Sequence, residues 1–288
     1  LALLALAFVA PAFAVSPAKG ESATKHGGTP KPLAPSTSSE DLGTQTCGAT
    51  PQDTLPQPPG FTPGPRWPDL PLFMDAEGFA VRPAGLHVLT GDLAGASADA
   101  PLRSGSYHAA VSGPADRWGI PPAWLRDGDG TLVQQRLLEA GLALADLTDY
   151  TLPPPCLAAL ALWEQTGRRH RRGVWKTRFP LRSDRPATIL PFTGQEVVIE
   201  GPLVSLGKTA KTRYLNFGGY WKVDLTATIT AARIAPFRET LEALDRSLGQ
   251  GKTVRVRLRG LVEDRDGPLV ELVHPRQLDI LDVTKDAE

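Results

Sequence analysis

Apolar positions change their period several times along the chain, and each change marks an element. From about Asp69 the pattern becomes globular, with short strands predicted over 70–75 and 78–88 around the turn Asp75-Ala-Glu-Gly78. A weaker strand is predicted over 106–111. Leu132, Val133, Leu137, Leu138 and Ala140 then form a helical stripe, and Gly141 is placed to end or kink it. After Pro153-Pro-Pro155, Leu157, Leu160, Leu162 and Trp163 begin a second helix that closes towards Gly173-Val-Trp175.

Beyond about Phe192 strand signals take over. Val197-Val-Ile199 precedes Gly201, Tyr214 to Trp221 contains a glycine pair suited to a hairpin, and Leu225, Ala227 and Ile229 alternate with threonines. Phe237, Leu241, Leu244 and Leu248 then share one face of a helix. Val254, Val256 and Leu258 alternate with Arg255, Arg257 and Arg259, which predicts a strand with one apolar and one basic face. Leu269 to Val273, after the Asp266-Gly turn, is the last clear strand. Three strands, a helix and two strands is the element order of an OB-fold, a small five-stranded barrel.

Two stretches lack such periodicity. Residues 1–14 are an apolar run ending Ala-Phe-Ala, too short to span a bilayer and read as a signal peptide with a truncated start. This reading expects export to the periplasm or beyond the cell, with no membrane span in the mature protein. Residues 15–66 are rich in Pro, Gly, Ser and Thr, cannot bury enough surface to offset ordering entropy, and read as a disordered linker. The 288 residues then leave room for two domains, expected at 67–180 and 190–283.

Charge narrows the choice of partners. Lys plus Arg and Asp plus Glu both number 31, so nucleic-acid binding requires a local patch rather than a whole-chain field. Arg168, Arg169, Arg171 and Arg172, with Lys176, Arg178 and Arg182 beyond, are such a patch, or else a solvated helix end that complements the helix dipole. Tyr214, Phe217, Tyr220 and Trp221 are placed to stack bases or sugars, or else to pack a barrel. Cys47 and Cys156 are a disulfide candidate closing a loop of roughly a hundred residues, or two unrelated thiols. Neither has zinc-ligand company, Asp127-Gly-Asp129-Gly130 reads as a glycine turn, and the histidines form no triad-like group.

One stretch carries a family resemblance. Ala115-Asp-Arg-Trp-Gly-Ile120, then Pro-Pro-Ala-Trp-Leu, Asp-Gly-Asp-Gly and Val133-Gln-Gln-Arg-Leu-Leu-Glu-Ala-Gly141-Leu-Ala, resembles the central signature of staphylococcal-nuclease-like (thermonuclease) domains. Glu164 followed by Arg168 to Arg172 and Gly-Val-Trp175 is similar to that family's last helix, so the resemblance covers roughly residues 69–175. It implies an OB barrel with helices and metal-assisted phosphodiester hydrolysis, in which carboxylates hold Ca²⁺, a Glu activates water and two arginines neutralise the phosphate. By position, Arg82 matches the first arginine, and Asp69 and Asp75 are remnant metal ligands. However, His87 stands where a metal-binding Asp belongs, Thr90 where the Glu belongs, and Ile120 where the second arginine belongs. Losing base, ligand and arginine together removes both nucleophile activation and charge stabilisation.

The expected fold class is therefore mainly β with α (α+β): a nuclease-like barrel followed by a second OB-like barrel. The expected function is a non-catalytic binding or scaffold module contacting nucleic acid or another phosphate-bearing ligand, with no cofactor. One alternative is a residual nuclease using Ca²⁺ with Asp69, Asp75 and Arg82. Another is a structural cell-envelope protein.

Overall fold

The computed structural model describes Cys47 and residues 60–67, 70–89, 102, 105–149, 151–220 and 222–285. The segment read as a signal peptide and most of the stretch read as a linker lie outside these, as do Asp69, Thr90 and Trp221. Contacts separate Leu1–Ser36 from Thr37–Glu288, and all described residues belong to the second unit. That unit is α+β in class, with most elements strands and three separate sheets.

The first sheet contains β1 (Thr62–Trp67), β2 (Leu70–Met74), β3 (Ala80–Pro83), β5 (His108–Val111) and β6 (Pro122–Arg126) in the order β1-β2-β3-β6-β5. The β2–β3 turn is held by Asp75, whose Oδ1 accepts the Phe79 N–H at 2.7 Å. β4 (Leu86–Val88) pairs separately with β7 (Ala143–Ala145). Between β6 and β7 runs α1 (Val133–Glu139), followed later by α2 (Pro154–Arg169). α2 starts with proline in its first turn, where the missing N–H costs nothing. Fully buried Phe73, Tyr107, Leu125, Leu137, Leu138, Leu160 and Trp163 make the core of this part.

The linker expectation needs correction at its end. Residues 62–66 belong to β1, and Phe61 is buried with its ring edge-on to Phe79 at 6.4 Å. β1 is an edge strand with an irregular register between Pro63 and Arg66. An edge tolerates proline because one side of the strand needs no ladder donor, which is why a proline-rich segment is a strand here.

After α3 (Val174–Thr177), the second sheet contains β8 (Leu181–Arg182), β9 (Glu196–Leu203), β10 (Ser205–Lys208), β11 (Thr212–Asn216), β12 (Thr226–Thr230), β13 (Lys252–Asp264) and β14 (Pro268–Glu271). Its order is β10-β11-β12-β14-β13-β9-β8, with β12 and β14 parallel. The helix α4 (Arg238–Gly249) buries Leu241 and Leu244 against this core, next to the fully buried Phe237. Val174 and Trp175 also join this core, so packing passes to the second module before residue 180.

Two strand expectations change. Gly201 lies inside β9, where an added Cβ would fall 1.7 Å from Ser183 Oγ. Glycine therefore makes room here for the Ser183 side chain within the strand. A further strand, β15 (Leu278–Lys285), follows the one read as last and pairs with β13. The Gly218–Gly219 pair lies in the long connection between β11 and β12.

Candidate functional site

The residues of the nuclease-like signature are occupied with local structure. Asp116 Oδ1 accepts the N–H groups of Trp118 at 2.9 Å and Ile120 at 3.1 Å, so its carboxylate closes its own turn. Its Oδ2 lies 3.7 Å from Arg82 Nε. Arg82 is held beside this turn because its N–H donates to Pro121 O at 3.1 Å and it registers with Pro122 across β3 and β6. Ile120 therefore stands close to the backbone partner of Arg82. Asp75 lies in the turn of the β2–β3 hairpin, where its carboxylate is bonded to the Phe79 N–H.

Asp127 has a comparable structural role. Its Oδ1 accepts the N–H groups of Asp129 at 3.1 Å and Thr131 at 2.9 Å, while Oδ2 accepts Arg136 Nε at 2.8 Å. These bonds order the glycine turn that enters α1. No group of three or more His, Cys, Asp or Glu side chains among the described residues is arranged to hold a metal.

A denser set of charges lies where α2 meets β13. Arg259 Nη2 is 2.6 Å from Glu164 Oε1 and Nη1 is 3.1 Å from Oε2, a two-pronged pair with both side chains nearly buried. Arg259 Nη1 also donates to Ala145 O at 3.2 Å, and Ala145 N–H donates to Glu164 Oε2 at 2.7 Å. Two residues away, Arg257 Nε donates to Glu200 Oε1 at 2.7 Å, with Asp279 Oδ2 at 3.6 Å from Nη1. Arg168 approaches the same Glu200 Oε1 at 3.8 Å. Burial and the Arg257 charge lower the Arg168 pKa, against the pull of Glu200 and Glu164, with Arg259 adding to the lowering.

His87 joins this set from β4. Its Nε2 is 3.6 Å from Asp146 Oδ1 and 3.5 Å from Glu196 Oε1. Burial opposes the charged imidazole, but the bond to Asp146 and the charges of Glu196 and Asp146 outweigh it, so the His87 pKa is raised. Asp146 is held well below the usual carboxylate range: its burial is overcome by His87 and by bonds from Thr148. Burial raises the Glu196 pKa against the pull of His87, with Asp146 adding to the rise. Glu196 Oε2 is buried without a hydrogen-bond partner.

Beside these ion pairs opens a cleft of about 660 Å³. One wall is α2, with Ala158, Ala161 and Leu162 facing the opening, and the other carries Arg257, Arg259 and Arg276. Arg168, also on α2, lines it too.

The remaining basic residues of α2 are separate from this cleft. Arg169, Arg171 and Arg172 are exposed at the helix end, together with Lys176 and Arg178. Arg169 Nη2 reaches Thr166 Oγ1 at 3.4 Å, and none of the five has an ion pair among the described residues. The predicted aromatic group is also dispersed. Tyr214 is half-buried on β11 and lines a cleft of about 430 Å³ with Asn216, Thr226 and Arg265. Phe217 belongs to the core, and Tyr220 is exposed in the β11–β12 connection. Asp266 also borders that cleft, and Arg265 is paired to Glu263 at 2.6 Å.

Cys47 and Cys156 are bridged, with Cα atoms 5.5 Å apart and a sequence separation of 109. This resolves the choice between bridge and separate thiols. Cys47 is buried in the first core, and its carbonyl accepts Arg126 Nη2 at 3.4 Å. No helix among the described residues is long and apolar enough to cross a membrane. The chain matches no protein-family model and no curated protein.

Glu200, Arg257, Arg276 and Asp279 were not singled out as a site by sequence reasoning. The Val/Arg alternation of β13 marked the basic face, but nothing local marks the carboxylates that face it.

Proposed function

We propose that this chain is a non-catalytic binding module of an exported protein, built from a nuclease-like barrel whose cutting site has decayed and an OB-like barrel. Its ligand is a nucleic acid or a similar phosphate polymer. The carrying observation is the exposed corner formed by Arg169, Arg171, Arg172, Lys176 and Arg178, whose cations lack carboxylate partners among the described residues. Such a corner offers phosphates charge without first breaking an ion pair. The barrel reading is supported by β9 and β10, which are separated only by Val204. β9 pairs with β13 and β10 with β11, so one bent strand borders both ends of the path through β12 and β14. The non-catalytic part is supported by Asp75 and Asp116 being engaged in turns and by Ile120 beside Arg82.

The test pairs binding with cleavage. Fluorescence anisotropy of a labelled single-stranded DNA or RNA is expected to show affinity that falls steeply with salt. Joint replacement of Arg171 and Arg172 by Ala should weaken it and reduce the salt slope by about 2. Digestion with Ca²⁺ should leave the nucleic acid intact. Chelator-sensitive cleavage lost in Arg82→Ala overturns the non-catalytic reading in favour of a residual nuclease. Absence of salt-dependent binding favours a structural envelope role instead.

A further inference from the structure

We propose that the cleft between α2 and the β13–β15 edge is a second binding site, for a small organic oxyanion carrying an apolar group. This site is distinct from the exposed corner and does not depend on polymer binding there.

Two opposed walls define the ligand. Alanines at 158 and 161 leave a trough along α2, and Leu162 continues its apolar surface. A longer side chain at Ala158 would occupy the opening. Across it stand Arg257 from β13 and Arg276 from the turn before β15, while Arg168 adds a third guanidinium from α2 itself. An apolar body suits the first wall and a compact anionic head the second. The volume of about 660 Å³ is that of an ordinary small-molecule pocket rather than of a polymer groove.

Charge supplies the sign. Four arginines line the cleft: Arg168, Arg257, Arg259 and Arg276. Against them stand Glu164 and Asp279 in the lining, and Glu200 behind Arg257 and Arg168. Counting these groups leaves one positive charge in excess, from four arginines and three carboxylates. Glu164 is committed to Arg259 by both oxygens, and Glu200 Oε1 is shared between Arg257 and Arg168. Arg276 has no ion pair among the described residues, and Arg168 has only its 3.8 Å approach to Glu200. These two therefore retain donors for a ligand. Planar guanidinium forks match the oxygens of a phosphate monoester or a carboxylate.

The cationic wall is rigid. Arg257 and Arg259 sit on a strand paired on both sides, and their carboxylate partners hold the side chains in place. A ligand thus meets charges already positioned, which lowers the ordering cost of binding.

Isothermal titration of the full mature chain with phenyl phosphate, benzoate and inorganic phosphate tests the site. Saturable one-to-one binding of phenyl phosphate or benzoate, at least about tenfold tighter than inorganic phosphate, is the expected result. Whichever of the two binds tighter identifies a phosphate or a carboxylate head. Arg276→Ala should weaken binding about tenfold. Ala158→Phe should abolish it while leaving the melting temperature and the salt-dependent binding of single-stranded DNA unchanged, because position 158 is exposed on α2. The proposal is overturned by no saturable binding of either organic anion, by equal affinity for inorganic phosphate, or by binding indifferent to both substitutions.

Discussion

Arg259 on β13 and Glu164 on α2 grip each other through two contacts of 2.6 and 3.1 Å, although their sequence separation is 95. The pair joins the helix of the first core to the central strand of the second. Its side chains are 12% and 6% exposed, so neither charge can turn to water when the other is removed. Glu164→Gln should therefore destabilise the protein by about 3–5 kcal/mol, because it leaves a buried guanidinium without its counter-charge. Replacing both residues by leucine should recover most of the loss. Urea unfolding of the two variants beside the wild type measures this, and an unchanged midpoint for Glu164→Gln would refute it.

Gly141 and Gly173 meet across the first module and lean on each other's backbone. Val174 N–H donates to Gly141 O at 3.0 Å. A Cβ at 141 would fall 2.2 Å from Arg172 O, and one at 173 would fall 2.3 Å from Gly141 O. Both residues also have positive φ, +68° and +50°. Alanine at either position should cost more than about 1 kcal/mol, since strain adds to the clash. Gly128 has open space and no such φ, so Gly128→Ala is the matched control and should change little. Equal melting temperatures for all three variants would contradict this account.

His87 links stability to pH. Its folded pKa lies above the ordinary 6.5, so its contribution is complete below that pH and is lost as pH rises through the folded value. Asp146 acts in the opposite direction: its depressed pKa contributes above the ordinary 3.8 and is lost in strong acid. Glu196, raised by burial, loses its contribution on the alkaline side of 4.5, as its proton leaves. Arg259 faces the same group and stays charged throughout. The stability gap between wild type and His87→Gln should therefore narrow as pH rises from 6 to 9. Thermal melts at half-unit intervals follow it, and a gap constant across that range excludes the imidazole as its source.

The Cys47–Cys156 bridge closes a long loop and ties an otherwise distant segment to α2. Constraining so long a loop in the unfolded chain is worth about 2–5 kcal/mol. Cys156→Ser should lower stability by that amount under oxidising conditions and make stability insensitive to reductant. Equilibrium denaturation with and without reductant provides the measurement. A wild type that loses nothing on full reduction speaks against the bridge as a stabiliser.

Local patterns in the chain are legible in proportion to their regularity. The helices α1, α2 and α4 announce themselves by apolar spacing, and β13 by strict alternation of Val254, Val256 and Leu258 with arginines. β15 escapes notice because its pairing slips opposite Arg255 and Val256, which breaks the alternation, and because Ile280 and Val283 are partly exposed. β1 is hidden by its prolines. At the site, Arg257 and Arg259 stand out from sequence, but Glu200 does not, and Glu164 is marked there only as part of a helix motif, not as the partner of Arg259. A buried ion pair is a property of the folded chain, and no spacing rule connects a strand residue to a helix residue so far upstream. The dispersal of Tyr214, Phe217 and Tyr220 has the same origin, since adjacency along the chain does not decide which ring enters the core.

The separation of Glu164 and Arg259 also bears on the order in which the molecule is made. A chain synthesised from its N-terminus presents α2 long before β13 exists. Until then Glu164 lacks its guanidinium, and the α2 surface that will meet β13 is still open to water. The first module consequently reaches its final state only once most of the second has emerged, so a product cut off after Trp175 is expected to be a poor substitute for the whole. The two halves differ in fold position and in core, but they mature together.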